Sequence, residues 1–204
     1  THAGRGGLRS RGRSWRGSLQ GTEGRADRGA GYCVYNDCAV ASRVLQRDLQ
    51  VGRILIVDTD VHQGDGTAAI FADDESVFTF SVHGHENFPS QKASSDLDIA
   101  LPSGTGDDEY LKQLRLGLDE ALRRSDPDFV FYLSGADPFI GDKLGRLSLT
   151  KDGLRARDEM VLGELQQRKL PHATVMGGGY GKDIADSVDV YEATVLVALG
   201  SGPA

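Results

Sequence analysis

Residues 53–66 read RILIVDTDVHQGDG, in which a short apolar run passes directly into a polar, glycine-rich turn. A continuous run of Ile, Leu and Val of this length is typical of a parallel strand that is buried on both faces. Because side chains of an extended chain alternate with period two, Asp58, Asp60 and His62 are predicted to point to one side. The stretch therefore predicts a central strand whose carboxyl end carries ionisable side chains.

The sequence on either side of this stretch alternates between strand-like and helical patterns. Three further short apolar runs predict strands at 76–83, 129–133 and 173–176. Apolar residues at helical spacing predict four helices at 36–50, 107–124, 150–168 and 183–199. Strands separated by helices require right-handed crossovers, so we predict a three-layer α/β/α fold with a mainly parallel sheet.

The composition restricts the class of protein. The 204 residues suffice for one α/β domain or part of a larger one, and a hydrophobic content of 39% provides a core. The sequence contains no apolar run of about 18 residues, so no membrane span is predicted, and no signal peptide is recognised. Cys33 and Cys38 are too few for a disulfide scaffold, and their spacing matches no zinc knuckle. We therefore expect a soluble cytoplasmic protein, or a nuclear one if the source is eukaryotic.

Residues 1–30 differ in composition from the rest of the chain. They contain eight Gly, seven Arg and two acidic residues and sum to +5, so the other residues sum to −12 of the total charge of −7. Such a segment buries too little apolar surface to offset its ordering entropy, so we predict that it is poorly ordered. The acidic body lacks the clustered Lys and Arg that phosphate binding needs, so no direct nucleic-acid binding is expected.

Polar turns follow three of the predicted strands, and ligands of open α/β sheets bind beyond the carboxyl ends of strands. Asp60 and His62 follow the first strand, and Asp137 follows the strand at 129–133. Two carboxylates and one imidazole suit zinc or ferrous iron and leave positions open for water and substrate. A metal held in this way polarises a carbonyl and activates water, as hydrolysis of an amide requires.

Six segments resemble, in order along the chain, the zinc-dependent histone deacetylase family. They are GYCVYND (31–37), DTDVHQGDGTA (58–68), SVHGHENFP (81–89), SDLDIALPSGTGDDEYL (95–111), GADPFIGDKLGRLSLT (135–150) and GGGYGKDI (177–184). The stretches NFP and LPSGTGDDEYL are most similar to class IV members and to bacterial deacetylase-like relatives. The resemblance implies an arginase/deacetylase fold and hydrolysis of the amide bond of acyl-lysine.

The resemblance implies roles for individual residues. Asp60, His62 and Asp137 match the zinc ligands, and Tyr180 matches the residue whose hydroxyl stabilises the oxyanion. The positions that line the substrate tunnel are matched by Gly31, Tyr32, Phe88, Leu144, Gly178 and Gly179. A potassium site of the family is matched by Asp58, Ser81 and the backbone of Val82. For His83 and His85 the resemblance implies no catalytic role, and we expect them to pack in a turn.

The chain departs from the family pattern ahead of Gly31. The family carries a tandem His-His pair there, one of which acts as general base, and Asp58 and Asp65 match the carboxylates that orient the pair. Residues 21–29 read GTEGRADRG, without histidine, and an alternative alignment that uses His2 still leaves one histidine missing. The earlier part of the family's domain is also absent, so we predict an incomplete, N-terminally truncated domain at 31–204.

Three functional hypotheses follow. The first is a zinc-dependent deacylase that acts on acylated lysine in proteins, histones included, or on an acylated polyamine. The second is a catalytically inactive deacetylase-like protein or fragment that binds an acylated ligand or a partner. The third is an arginase-like binuclear manganese hydrolase, which shares the fold and requires additional Asp and His ligands.

Overall fold

The computed structural model describes residues 35–200, which form five strands and five helices. The strands are β1 (Ile54–Asp58), β2 (Val77–Gly84), β3 (Leu97–Leu101), β4 (Phe129–Ser134) and β5 (His172–Met176). The helices are α1 (Asp37–Asp48), α2 (Asp65–Phe71), α3 (Asp107–Ser125), α4 (Lys151–Gln167) and α5 (Ile184–Ala198). The segment at 1–30, with Gly31 and Tyr32, lies outside the described residues.

The five strands form one parallel sheet in the order β3-β2-β1-β4-β5. Strand β1 is central. The chain adds β2 and β3 on one side of it, returns through α3, and then adds β4 and β5 on the other side. The direction of growth therefore reverses between β1 and β4. Their carboxyl ends lie side by side, since Asp58 is in register with Leu133. Such a switch point is where open α/β sheets form their ligand crevices.

Helices cover both faces of the sheet and produce two apolar cores. On one face, α1 and α2 pack Cys38, Ala39 and Phe71 against residues such as Ile54 and Ile56 of β1. On the other face, α3, α4 and α5 form the larger core with the remaining inward side chains of β1, β2 and β4. The predicted three-layer α/β/α architecture is therefore confirmed. None of the helices in the range 35–200 is long and apolar enough to cross a membrane.

Polar side chains cap the N-termini of three helices. Asn36 Oδ1 accepts from the backbone N–H of Ala39 at 2.8 Å at the start of α1. Thr150 caps α4 in the same manner, and Asp183 caps α5. Each of these side chains satisfies a backbone donor that the first turn of a helix leaves unpaired.

The helices and strands predicted from the sequence are all present, with ends within two residues of those observed. Two elements were not predicted. Strand β3 lies at the edge of the sheet and is half exposed, and α2 is a helix of only seven residues. An element this short contains too few turns for a helical apolar pattern to emerge.

Candidate metal centre

Three buried side chains converge beyond the switch point of the sheet. Asp60 and His62 lie in the turn after β1, and Asp137 lies in the turn after β4. Each contributes one potential ligand atom, and these atoms all lie within 4.8 Å of one another. The structure therefore brings together the two carboxylates and the imidazole that the sequence indicated as metal ligands.

The imidazole of His62 lies between the two carboxylates. Its Nδ1 is 3.0 Å from Asp60 Oδ1 and 3.2 Å from Asp137 Oδ2. Burial opposes a charged imidazole, but the contacts with Asp137 and Asp60 outweigh it and raise the pKa of His62 to about 10. Burial and the charge of Asp60 raise the pKa of Asp137 to about 7. The pocket thus concentrates negative charge away from water, a situation that a cation relieves.

Backbone donors fix the carboxylates. The N–H of Val61 donates to Asp137 Oδ1 at 2.8 Å, and the N–H of Gly178 donates to Asp60 Oδ2 at 2.7 Å. Asp137 Oδ2 is buried and completes no hydrogen bond with any described residue, although His62 Nδ1 lies nearby. A buried acceptor of this kind requires a partner. The orphaned oxygen and the donor set of two carboxylates and one imidazole both fit a divalent metal such as zinc.

A glycine loop follows β5 and lies against the carboxylates of the candidate metal centre. A Cβ at Gly178 would lie 2.1 Å from Asp137 Oδ2, and one at Gly179 would lie 3.1 Å from the Cβ of Ala136. The loop therefore approaches the carboxylates more closely than a side chain would allow. Tyr180 comes next, with a partly exposed side chain and a backbone N–H that donates to Asp142 Oδ2 at 2.6 Å.

Two exposed apolar side chains, Phe88 and Leu144, lie on neighbouring loops. Asn87 joins these loops, because its Nδ2 donates to the carbonyl of Leu144 at 2.9 Å and its Oδ1 accepts from the N–H of Arg146 at 3.2 Å. Asp142 Oδ1 accepts from the N–H of Leu144 at 2.7 Å. Sequence reasoning did not single out Asn87 or Asp142. Their side-chain type next to glycine-rich turns is the signal that could have identified them.

The side chains that were predicted to support the site lie on the strands and the helix next to it. Asp58 is buried, is in register with Ser81 of β2, and accepts from the N–H of Asp60 at 3.0 Å. Burial and the charge of Asp60 raise the pKa of Asp58 well above its usual range. Asp65 is buried at the first position of α2, and its Oδ1 accepts from the N–H of Gly66. These contacts do not test whether potassium binds, so the potassium site stays a prediction.

The two histidines that follow Ser81 differ in environment. His83 is buried within strand β2, and its Nδ1 lies 3.0 Å from Ser81 Oγ. Burial lowers the pKa of His83 to about 4, so the imidazole is neutral at physiological pH. His85 is exposed in the turn that follows. The expectation of turn packing was therefore wrong for His83, which packs in a strand.

Within residues 35–200, no second group of three His, Cys, Asp or Glu side chains has the spacing of a metal site. A binuclear centre needs additional carboxylate and imidazole ligands around a second ion. The described part of the chain therefore offers no support for the arginase-like hypothesis of two manganese ions.

A parallel sheet with a buried Asp-His-Asp cluster at its switch point places the chain in the arginase/deacetylase class of α/β proteins. Residues 24–195 match the histone deacetylase domain family. The chain therefore belongs to the histone deacetylase family, as the sequence motifs predicted. The assignment to class IV stays a prediction.

Several relatives illustrate this membership. The chain is 52% identical over 160 residues to an uncharacterised protein of Picosynechococcus sp., which covers 78% of this chain and 53% of that protein. It is 33% identical over 171 residues to histone deacetylase 2 of Arabidopsis thaliana, which covers 80% of this chain and 44% of that protein. The match thus spans about half the length of each of these two relatives.

Solved structures agree with the fold. The crystal structure of the HDA15 HD domain superposes with a TM-score of 0.74 at 30% identity, over 88% of this chain and 53% of that one. An acetylpolyamine aminohydrolase from Burkholderia pseudomallei superposes with a TM-score of 0.73 at 23% identity, over 91% of this chain and 53% of that one. The second likeness concerns the fold alone.

Proposed function

We propose that this chain carries the metal centre of a zinc-dependent enzyme that hydrolyses the amide bond of acyl-lysine in proteins. The observation that carries the proposal is the buried, orphaned oxygen of Asp137 beside Asp60 and His62, directly beneath the glycine loop that leads to Tyr180. Membership of the histone deacetylase family supports amide hydrolysis as the chemistry.

Asp60, His62 and Asp137 would hold the zinc ion. When bound, zinc polarises the acyl carbonyl and lowers the pKa of water. Tyr180 donates a hydrogen bond from its hydroxyl to the oxyanion that develops on the substrate. The backbone contact between Tyr180 and Asp142 fixes the start of that side chain. Phe88 and Leu144 flank the alkyl stem of the substrate, because apolar walls hold an apolar chain and exclude water.

The substrate class follows from the same features and from the neighbours. An acyl-lysine presents a neutral amide at the end of a straight alkyl stem, which suits exposed apolar side chains such as Phe88 and Leu144 together with a buried metal-binding cluster. An acylated polyamine presents the same amide on a similar stem, and one structural neighbour is named an acetylpolyamine aminohydrolase. We propose acyl-lysine as the substrate because the relatives named histone deacetylases carry the sequence match.

A second candidate is a catalytically inactive deacetylase-like protein that binds acylated ligands. It is favoured by the absence of histidine from residues 21–29, GTEGRADRG, the stretch in which the family carries its tandem histidines. Hydrolysis needs a group that takes a proton from water. A chain that binds zinc and an acylated ligand and lacks that group would retain its ligand unchanged.

The test is hydrolysis of acetyl-lysine peptides, long-chain acyl-lysine peptides and acetylated polyamines by the zinc-loaded full chain. An Asp137→Asn variant, which keeps the shape of the side chain and removes its charge, is the blank. Turnover above the blank would support the enzyme, and the preferred substrate would separate peptide from polyamine. One zinc per chain without turnover would favour the inactive protein. A wild-type chain that binds no zinc would refute both.

A second variant, Glu23→His/Gly24→His, distinguishes the two candidates further. It restores a histidine pair at the position where the family pattern has one. If the missing base is the reason for inactivity, the restored variant should gain turnover. A restored variant that binds zinc and remains inert would contradict that explanation.

A further inference from the structure

An arginine and an aspartate on α4 lie completely buried in the larger core. Arg157 and Asp158 both have 0% side-chain exposure, with Arg157 Nη2 2.9 Å from Asp158 Oδ1. Taking two charges out of water costs more than their attraction commonly returns, and an apolar pair of similar volume is often equally stable or more stable. Stability alone therefore does not account for the ion pair.

The contacts of the pair are concentrated on the end of β4. Arg157 Nη1 donates to the carbonyl of Gly135 at 2.6 Å, and Nη2 donates to Ser134 Oγ at 2.8 Å. Asp158 Oδ1 accepts from the hydroxyl of Tyr132. These partners lead directly to the metal-ligating position, because Asp137 follows Gly135 by two residues.

Gly135 packs closely against Asp60 and Asp137 of the two ligand-bearing turns. A Cβ there would lie 2.6 Å from the Cα of Asp60 and 2.8 Å from Asp137 Oδ1. Since the backbone has no free space on that side, the position of the Gly135 carbonyl sets the separation of the turns. The guanidinium of Arg157 holds that carbonyl through its hydrogen bond from Nη1.

The same network reaches the glycine loop through α5. Asp158 Oδ2 accepts from Thr194 Oγ1 of α5 at 2.6 Å. On the same helix, the hydroxyl of Tyr191 lies 2.8 Å from the carbonyl of Gly177 and 2.6 Å from that of Gly178. The buried pair thus connects the turn that carries Asp137 with the helix that supports the glycine loop.

We propose that Arg157, oriented by Asp158, is a positioning residue for the metal centre. It fixes the Gly135 carbonyl and thereby the distance from Asp137 to Asp60 and His62. The proposal rests on the proposed function in that the cluster binds zinc, and it does not require turnover.

The experiment compares the zinc affinity of the full chain and of two variants by competition with a chromogenic chelator. Arg157→Met keeps the volume and removes the hydrogen bonds to Gly135 and Ser134. Leu162→Ala is the matched control, because Leu162 is equally buried on the same helix and belongs to the apolar core. We expect Arg157→Met to weaken zinc binding by about tenfold, the lower end of the range for lost contacts to the ligands themselves, because Arg157 acts through the Gly135 backbone and not on a ligand. Leu162→Ala should stay within about twofold of wild type, although it destabilises the fold.

A third variant covers the case in which Arg157→Met does not fold. Arg157→Lys keeps the positive charge beside Asp158 but cannot reach Gly135 and Ser134 together, so it too should weaken zinc binding. Affinity unchanged in the folded Arg157 variants would overturn the proposal, and so would an equal loss in Leu162→Ala. A wild-type chain that binds no zinc would overturn both proposals. Zinc-loaded wild type without turnover would refute only the proposed function, since the affinity comparison decides the role of Arg157.

Discussion

Gly178 lies against both carboxylates of the candidate metal centre, so replacing it with alanine tests the geometry of the cluster. An added Cβ would lie 2.1 Å from Asp137 Oδ2 and 2.9 Å from Asp60 Oδ2, whereas contacts under 3.0 Å essentially do not occur. Either the carboxylate or the loop must therefore move by roughly 1 Å, because the interior has no room to spare.

Neither group moves without losing a contact. Asp137 Oδ1 is held by the N–H of Val61, and Asp60 Oδ2 by the N–H of Gly178 itself. A displacement of this size in the ligands or their supports typically lowers metal affinity by about 10- to 100-fold. That range corresponds to about 1.4–2.8 kcal/mol of binding free energy. We expect this loss for Gly178→Ala in a zinc competition assay.

Gly163→Ala provides the matched control. Gly163 lies within α4, and apart from its chain neighbours and the backbone of its own helix no described atom would come within 4 Å of an added Cβ. The same substitution there should leave zinc affinity unchanged and raise the free energy of unfolding by up to about 1 kcal/mol, since alanine favours the helix. Zinc affinity of Gly178→Ala equal to wild type, with the fold intact by circular dichroism, would refute the packing argument.

Three further predictions concern the core, the loops and the cysteine. Leu114→Ala removes a fully buried side chain from the larger core and should lower the free energy of unfolding in urea by about 2–5 kcal/mol. In Asp142→Asn the side chain has one acceptor oxygen and cannot accept from the N–H groups of both Tyr180 and Leu144. Amide hydrogen exchange at Tyr180 should therefore accelerate while that of β1 stays unchanged, and an unchanged exchange rate at Tyr180 would contradict the hydrogen bond between Tyr180 and Asp142. Burial and the charge of Asp37 raise the pKa of the Cys38 thiol from 9.0 to about 12. Its alkylation, followed by peptide mapping, should therefore be roughly a thousandfold slower in the native chain than in urea. Comparable alkylation rates in the native chain and in urea would exclude a buried thiol.

The sequence predicted the central strands well because burial on both faces leaves an unbroken apolar run. Strand β3 also carried a signal, since Leu97, Ile99 and Leu101 alternate with more polar positions. The pattern is short and half exposed, as suits an edge strand, and it stands beside the stronger runs of the sheet interior. Sequence pattern alone thus favours the centre of a sheet over its edge.

The chemistry of Asp60, His62 and Asp137 indicated them as candidate ligands, but the sequence reasoning did not find the hydrogen-bond network around Arg157 and Asp158. Arg157 and Asp158 belong to a charged stretch, RARDE, that has the composition of an exposed helix surface. Helical spacing places them on the face of Leu154 and Val161, which is buried. A charged pair on an apolar face was therefore the available signal. Its hydrogen-bond partners depend on how β4 is placed against α4, and periodicity carries no information about that placement.

Alternation along an extended strand does not explain why Asp60 and His62 meet, because β1 ends at Asp58. A chain of turns does. Asp58 Oδ1 accepts from the N–H of Asp60, and Asp60 Oδ1 accepts from the N–H of His62 two residues later. Aspartate forms such local turns readily, and the oxygen that shapes the loop also approaches the imidazole. The same carboxylates therefore build the turn and supply the charge, so folding itself brings Asp60 and His62 of the candidate metal centre together.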